Sequence, residues 1–146
     1  MKKIILVAAM VLGFAVAASA QPRALGIRGG YGAELSYQHS VGGANFVEAD
    51  LGLTGSAFNL VATHNWMIAQ PAWTSRGEWG FYLGAGAGVA MGNKSFYAGV
   101  AGQIGLEYTF SFPLQLSIDW RPQIGLVGGA FGWWSSVPCL GIRYRF

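Results

Sequence analysis

Apolar and polar side chains alternate along most of the chain with a period of two. In the segment Leu25 to Tyr37, apolar residues fall mostly on odd positions, while Arg28, Glu34 and three of the four glycines fall on even positions. Because successive side chains of a β-strand point to opposite faces, this pattern predicts a strand with one apolar and one polar face. The unbroken alternation favours a single strand over the whole segment.

The same alternation predicts six further strands, which are separated by turn-forming residues such as Gly42-Gly43 and Gly92-Asn93. These strands span residues 45–54, 58–68, 79–91, 96–110, 114–126 and 140–146. Several are ten to fifteen residues long, whereas strands of ordinary globular proteins average about five or six residues. Tilted strands that cross a bilayer need roughly nine to eleven residues. The sequence therefore predicts an all-β, antiparallel protein with seven clear strands whose lengths suit a membrane.

Most charged residues lie on the polar faces of these strands. The set is Arg28, Glu34, Glu48, Asp50, Glu107, Asp119, Arg121, Arg143 and Arg145. In a soluble sheet this face would meet water, whereas in a transmembrane barrel it would line the interior and the apolar face would meet lipid. Aromatic residues near strand ends and glycines on the polar face favour the barrel. Because the interior of a small barrel is just wide enough for side chains to fill it, we expect a structural network of paired charges rather than an open channel.

Residues 1–20 have the organisation of a secretory signal peptide. Lys2-Lys3 precedes an apolar run, and Ala18-Ser19-Ala20 supplies small residues before a cleavage point. We expect cleavage there and a mature barrel domain over residues 21–146. Of nine basic residues, loss of the two lysines leaves seven against six acidic residues, a net charge of about +1. The net charge of +3 on the full chain would favour nucleic-acid binding, but the nearly neutral mature chain does not.

The composition agrees with a chain that has little surface in water. Charged residues make up 10% of the sequence, against about a quarter in soluble domains. The high apolar content excludes a disordered chain, and the single cysteine, Cys139, excludes a disulfide scaffold.

Two octets carry the most specific motif. The last eight residues, 139–146, contain Gly141, Tyr144 and the terminal Phe146. Residues 103–110 repeat the pattern, with glycine and aromatics at Gly105, Tyr108 and Phe110. Both octets resemble the terminal assembly signal of bacterial outer-membrane β-barrels, in which a polar residue precedes the glycine by two positions and aromatics close the segment. Cys139 departs from that pattern, because a polar residue is usual at its position.

In general plan the mature chain resembles the small porin-like barrels of the OmpA, OmpX and OmpW kind, although only the two octets are specific. The resemblance implies an antiparallel up-and-down barrel of eight strands in the outer membrane of a Gram-negative bacterium. It also implies a monomer, contact with outer-membrane lipid, and insertion by the barrel-assembly machinery. The eighth strand has two candidate positions. Either residues 23–40 contain two strands joined at Gly29-Gly30 and Gly32, or another strand lies within residues 127–137.

Residues with catalytic chemistry are few. His39 and His64 are the two histidines, and His39 has Ser36 and Ser40 nearby in sequence. His64 lies on the nominally lipid-facing side, and a local register shift is our hypothesis for that placement. Clustered histidines or cysteines are absent from the sequence, and we expect no catalytic, cofactor or metal site.

The sequence thus predicts a non-enzymatic barrel with a structural, adhesive or surface-interaction role. We expect the tryptophan-bearing loops, residues 70–78 and 128–138, to carry that role, because loops carry function on rigid scaffolds. A narrow pore or small-molecule transporter, a lipid-modifying enzyme and a soluble periplasmic sheet protein are the alternatives.

Overall fold

A computed structural model describes residues 22–30, 32–54, 57–92, 95–127, 133–134 and 137–146. The proposed signal peptide, residues 1–20, lies outside the described residues. The described part forms ten strands: β1 (Pro22–Gly29), β2 (Ala33–Gly42), β3 (Asn45–Thr54), β4 (Ala57–Ala69), β5 (Glu78–Gly92), β6 (Ser95–Thr109), β7 (Leu114–Trp120), β8 (Gln123–Val127), β9 (Trp133–Trp134) and β10 (Cys139–Arg145). Within these ranges, no helix is long and apolar enough to cross a membrane.

The strands close into one antiparallel barrel. Their hydrogen-bonded order runs β5-β4-β3-β2-β1-β10-β7-β6, and β5 also pairs with β6, which joins the two ends of the sheet. β8 continues β7 in the same register against β6, since Ile104 pairs with Trp120 and Ala101 pairs with Gln123. Across the break, the Gly102 amide donates to the Pro122 carbonyl at 3.0 Å. The all-β prediction is confirmed as an eight-stranded, closed, up-and-down barrel, with β9 as one short extra strand beside β8.

The eighth strand comes from the first predicted segment. Leu25 to Tyr37 contains the end of β1 and the start of β2, so the interpretation as one long strand is wrong and the two-strand alternative is confirmed. In the hairpin, Leu25 pairs with Tyr37 and Arg28 pairs with Glu34. Odd positions therefore pair with odd positions across the turn, and even positions pair with even positions. The alternation continues through the hairpin without a break, which is why the pattern alone conceals the join.

Both ends of the described chain lie at one end of the barrel, which we call the terminal end. The Phe146 amide donates to the Arg23 carbonyl at 3.2 Å there. Because successive strands are antiparallel, the loop over residues 70–77 also lies at the terminal end, whereas Pro138 lies at the opposite, far end. The two tryptophan-bearing loops that we grouped together thus belong to opposite ends of the barrel. Most of residues 128–138 fall outside the described residues.

The barrel is polar inside and apolar outside. In the described part, sixteen polar or charged residues are buried, against seven hydrophobic ones. Large apolar side chains lie on the outer surface, including Ile27, Leu53 and Leu140, which are 61%, 66% and 67% exposed. Glycine makes room for the interior at defined places. A Cβ at Gly141 would lie 2.8 Å from the Arg143 guanidinium, so a larger residue would displace that charge.

Candidate functional site: the charged interior and the terminal end

In the part of the chain that the structure describes, nine charged side chains meet inside the barrel through six ion pairs, and none of these side chains is more than 12% exposed. The pairs are Arg23–Glu107, Arg28–Glu34, Arg28–Asp119, Arg121–Glu34, Arg121–Asp50 and Arg143–Glu48. Eight of the nine residues belong to the network expected from the sequence. Every carboxylate in the set has an arginine partner, which is the condition for keeping charges out of water.

The part of the network nearest the far end contains two bridging arginines. Arg28 lies between Asp119 and Glu34, and its Nε is 3.0 Å from both Asp119 oxygens. Arg121 lies between Glu34, at 2.6 Å, and Asp50. Because a guanidinium has five donors in a fixed fork, each arginine can hold two carboxylates that come from different strands. These contacts join β1, β2, β3 and β7 across the interior.

Glu48 is the centre of the middle part of the network. Its carboxylate accepts from Gln38 at 2.6 Å, from Gln103 at 3.0 Å and from Arg143 at 3.2 Å. Arg143 also donates to the Ser36 hydroxyl at 2.9 Å. A carboxylate with three donors is well satisfied, so burial of Glu48 at 0% exposure is balanced by its contacts.

Arg23 closes the network near the terminal end, although the alternation in the sequence does not identify it. It pairs with Glu107 and donates to Gln38, and its guanidinium lies 4.1 Å above the Phe46 ring. Simple alternation would place Arg23 on the outer face with Leu25. A register shift between Pro22 and Ala24 turns Arg23 inward instead. A strand-end irregularity of this kind leaves no signal in the alternation.

Arg145 is the one predicted network residue that takes part in none of the described ion pairs. It shares the inward face of β10 with Arg143 but lies half-buried near the mouth of the terminal end. The network therefore holds eight predicted residues and Arg23, while Arg145 borders a cavity beside it.

The two octets that resemble an assembly signal both end at the terminal end. Tyr108 and Phe110 have ring centroids 4.7 Å apart, and Tyr144 and Phe146 have theirs 5.4 Å apart. Gly105 faces inward, where the Tyr82 ring occupies the space that a side chain would need.

An aromatic belt surrounds part of the terminal end. Consecutive ring centroids lie 4.7 to 5.2 Å apart along the series Trp73, Trp79, Tyr108, Phe110 and Phe112. The loop over residues 70–77 is attached to this belt, because Trp79 Nε1 donates to Thr74 at 3.1 Å and the Tyr108 hydroxyl donates to the Arg76 carbonyl at 3.1 Å.

The histidines lie on the outer wall. His39 Nδ1 is 2.9 Å from the Tyr37 hydroxyl. Ser36 is buried inside the barrel, where it accepts from Arg143, so the structure does not bring this serine and His39 together. His64 stacks against Trp66 at 4.7 Å.

The register shift that we considered at His64 is not there. His64 pairs with Val47 and Ala85 in regular register, and the irregularity of β4 lies further along, between Met67 and Ala69. His64 is thus an outward residue of a regular strand.

Cys139 is free and buried, with its Sγ 3.5 Å from the Val137 carbonyl. In the described ranges, no group of three or more histidine, cysteine or acidic residues is placed to hold a metal ion.

Comparison with known proteins adds no relative: no protein-family model, no curated protein and no solved structure matches the chain.

Proposed function

We propose that the chain is a non-enzymatic, integral outer-membrane barrel with a structural or surface-interaction role. The proposal rests on the distribution of side chains, which is the reverse of that in a water-soluble protein. Apolar residues such as Ile27 and Leu140 form the outer surface, and paired charges form the interior. In water, such an extensive apolar surface would promote aggregation, whereas lipid accepts it. The closed sheet adds support, because lipid cannot satisfy the hydrogen bonds of an open strand edge.

The terminal end, in this proposal, faces the periplasm. The two octets end there and resemble the assembly signal that the barrel-insertion machinery recognises. The aromatic belt supports a membrane boundary at the same level, since tryptophan and tyrosine favour the interface between lipid and water. The far end then faces the exterior as part of a monomer, and the surface role falls to the far-end connections, including residues 128–138.

Membrane fractionation combined with gel mobility tests this proposal. We expect the protein in the outer-membrane fraction of a Gram-negative host, and we expect samples kept cold in detergent to migrate differently from boiled samples, because a closed barrel resists unfolding. Recovery in the soluble fraction after osmotic shock, together with identical mobility before and after boiling, would refute the proposal.

A narrow pore is the second candidate, since the polar interior extends from Arg28 near the far end to Arg23 near the terminal end. The filled cross-section argues against it. Arg121, Arg143, Tyr82 and Phe46 are among the largest fully buried side chains and occupy the interior. We expect no ion conductance from the purified barrel in planar bilayers, with a general porin as the positive control. Reproducible conductance steps would favour the pore instead.

A further inference from the structure

The terminal end contains a polar cavity of about 360 Å³ at the mouth of the barrel. Its charged and hydroxyl-bearing lining residues are Arg23, Ser40, Glu78, Glu107, Thr109 and Arg145. Arg23 and Glu107 are almost wholly buried and paired with each other, so they form the inner limit of the cavity. The cavity is therefore a closed-ended recess above the charged network.

Two arginines and two glutamates border this recess, but only one arginine and one glutamate form an ion pair. Arg23 and Glu107 neutralise each other and have further partners in Gln38 and Gln115. Glu78 and Arg145, by contrast, attract each other but form no ion pair with any residue that the structure describes. The recess thus presents one available cation and one available anion.

This arrangement discriminates between classes of small ligand. A simple anion could contact Arg145 but would also meet the carboxylates of Glu78 and Glu107. A simple cation would meet two guanidinium groups. A molecule with both charges can place its carboxylate on Arg145 and its ammonium on Glu78. Each ligand group then gains a charge-assisted hydrogen bond to a partner of opposite charge.

The neighbouring loop leaves the recess accessible. Residues 70–77 are held to the outward-facing Trp79 and Tyr108 by hydrogen bonds to Thr74 and the Arg76 carbonyl. Gln70 and Trp79 border the recess, yet Glu78 remains exposed at its rim. A small solute can therefore enter from the terminal end.

We propose that this recess binds small zwitterions that carry a carboxylate and an ammonium group, such as free amino acids or short peptides. The Arg145 guanidinium receives the carboxylate, and the Glu78 carboxylate receives the ammonium. The Ser40 and Thr109 hydroxyls provide neutral hydrogen-bonding groups beside them. This inference goes beyond the structural role proposed above, since it requires only the folded barrel.

Isothermal titration calorimetry of the full mature barrel, refolded in a non-ionic detergent, tests the proposal. A zwitterionic detergent is unsuitable, because its headgroup carries the same pair of charges as the ligand. Glycine, β-alanine and diglycine provide zwitterions of increasing charge separation, and acetate and methylammonium provide the single charges. We expect at least one zwitterion to bind with a dissociation constant of about 1 mM or lower. We expect both single-charge probes to bind at least about tenfold more weakly.

Charge-removing variants locate the site. Glu78→Gln and Arg145→Gln should each weaken zwitterion binding by about tenfold or more. Arg76→Gln removes an exposed cation from the nearby loop, outside the recess, and should leave binding unchanged. Arg145 belongs to the terminal octet, so if its variant does not fold by gel mobility, Glu78→Gln decides alone. The proposal is overturned if no zwitterion binds, if acetate or methylammonium binds equally well, or if Glu78→Gln binds like the unaltered barrel.

Discussion

Replacing Arg28 with methionine is expected to lower the free energy of unfolding of the barrel by about 3–5 kcal/mol. Arg28 is the only ion-pair partner of Asp119 in the described part of the chain, and the Asp119 side chain is fully buried. Glu34, the other partner of Arg28, keeps its contact with Arg121. The variant therefore leaves one uncompensated carboxylate inside the barrel. Urea titration of the refolded protein in detergent, followed by gel mobility, measures the change.

Two further variants separate loss of charge pairing from loss of the side chain. Arg28→Met combined with Asp119→Asn removes both charges and should recover most of the lost stability, because breaking one side of a buried pair costs more than removing the pair. Arg76→Met removes an exposed arginine and should change the free energy of unfolding by no more than about 0.5 kcal/mol. If the double variant is no more stable than Arg28→Met, pairing with Asp119 is not the source of the effect.

The alternation of side chains predicts the two faces of the barrel well, because it depends only on strand geometry. Glu48, Asp119 and Arg143 all face inward, as their positions within the pattern indicate. The same pattern fails where the geometry departs from period two, and also where a turn leaves the period unchanged. Arg23 turns inward at a register shift, and the β1–β2 hairpin preserves parity through its turn.

The partners within the network could not be predicted, although eight of its nine members could. Arg28 and Asp119 are separated by 91 positions in the sequence. They meet because β1 and β7 both flank β10, in registers that place Arg28 opposite Gly141 and Asp119 opposite Cys139. Such pairing depends on how the sheet closes, and alternation along one strand contains no information about closure. The terminal recess was missed for the same reason, since Glu78 and Arg145 come from separate strands.

Replacing Gly86 with alanine is expected to lower the free energy of unfolding by about 2–3 kcal/mol, although alanine usually suits a strand better than glycine. A Cβ at Gly86 would overlap the Ala62 carbonyl oxygen and lie 2.7 Å from the Thr63 Cα. These are backbone atoms of the neighbouring strand, so relief requires movement of β4 relative to β5. Closure of a barrel uses such glycine positions to bend strands.

Gly92→Ala is the matched control on the same strand. Its Cβ would find the Ala57 Cβ at 3.7 Å, an ordinary contact, so we expect stability equal to or slightly above that of the unaltered barrel. Urea titrations of both variants under identical refolding conditions give the comparison. Equal midpoints for the two variants would show that close approach at Gly86 does not constrain closure. A lower midpoint for Gly86→Ala alone would establish that glycine here permits the curvature that brings the interior charges together.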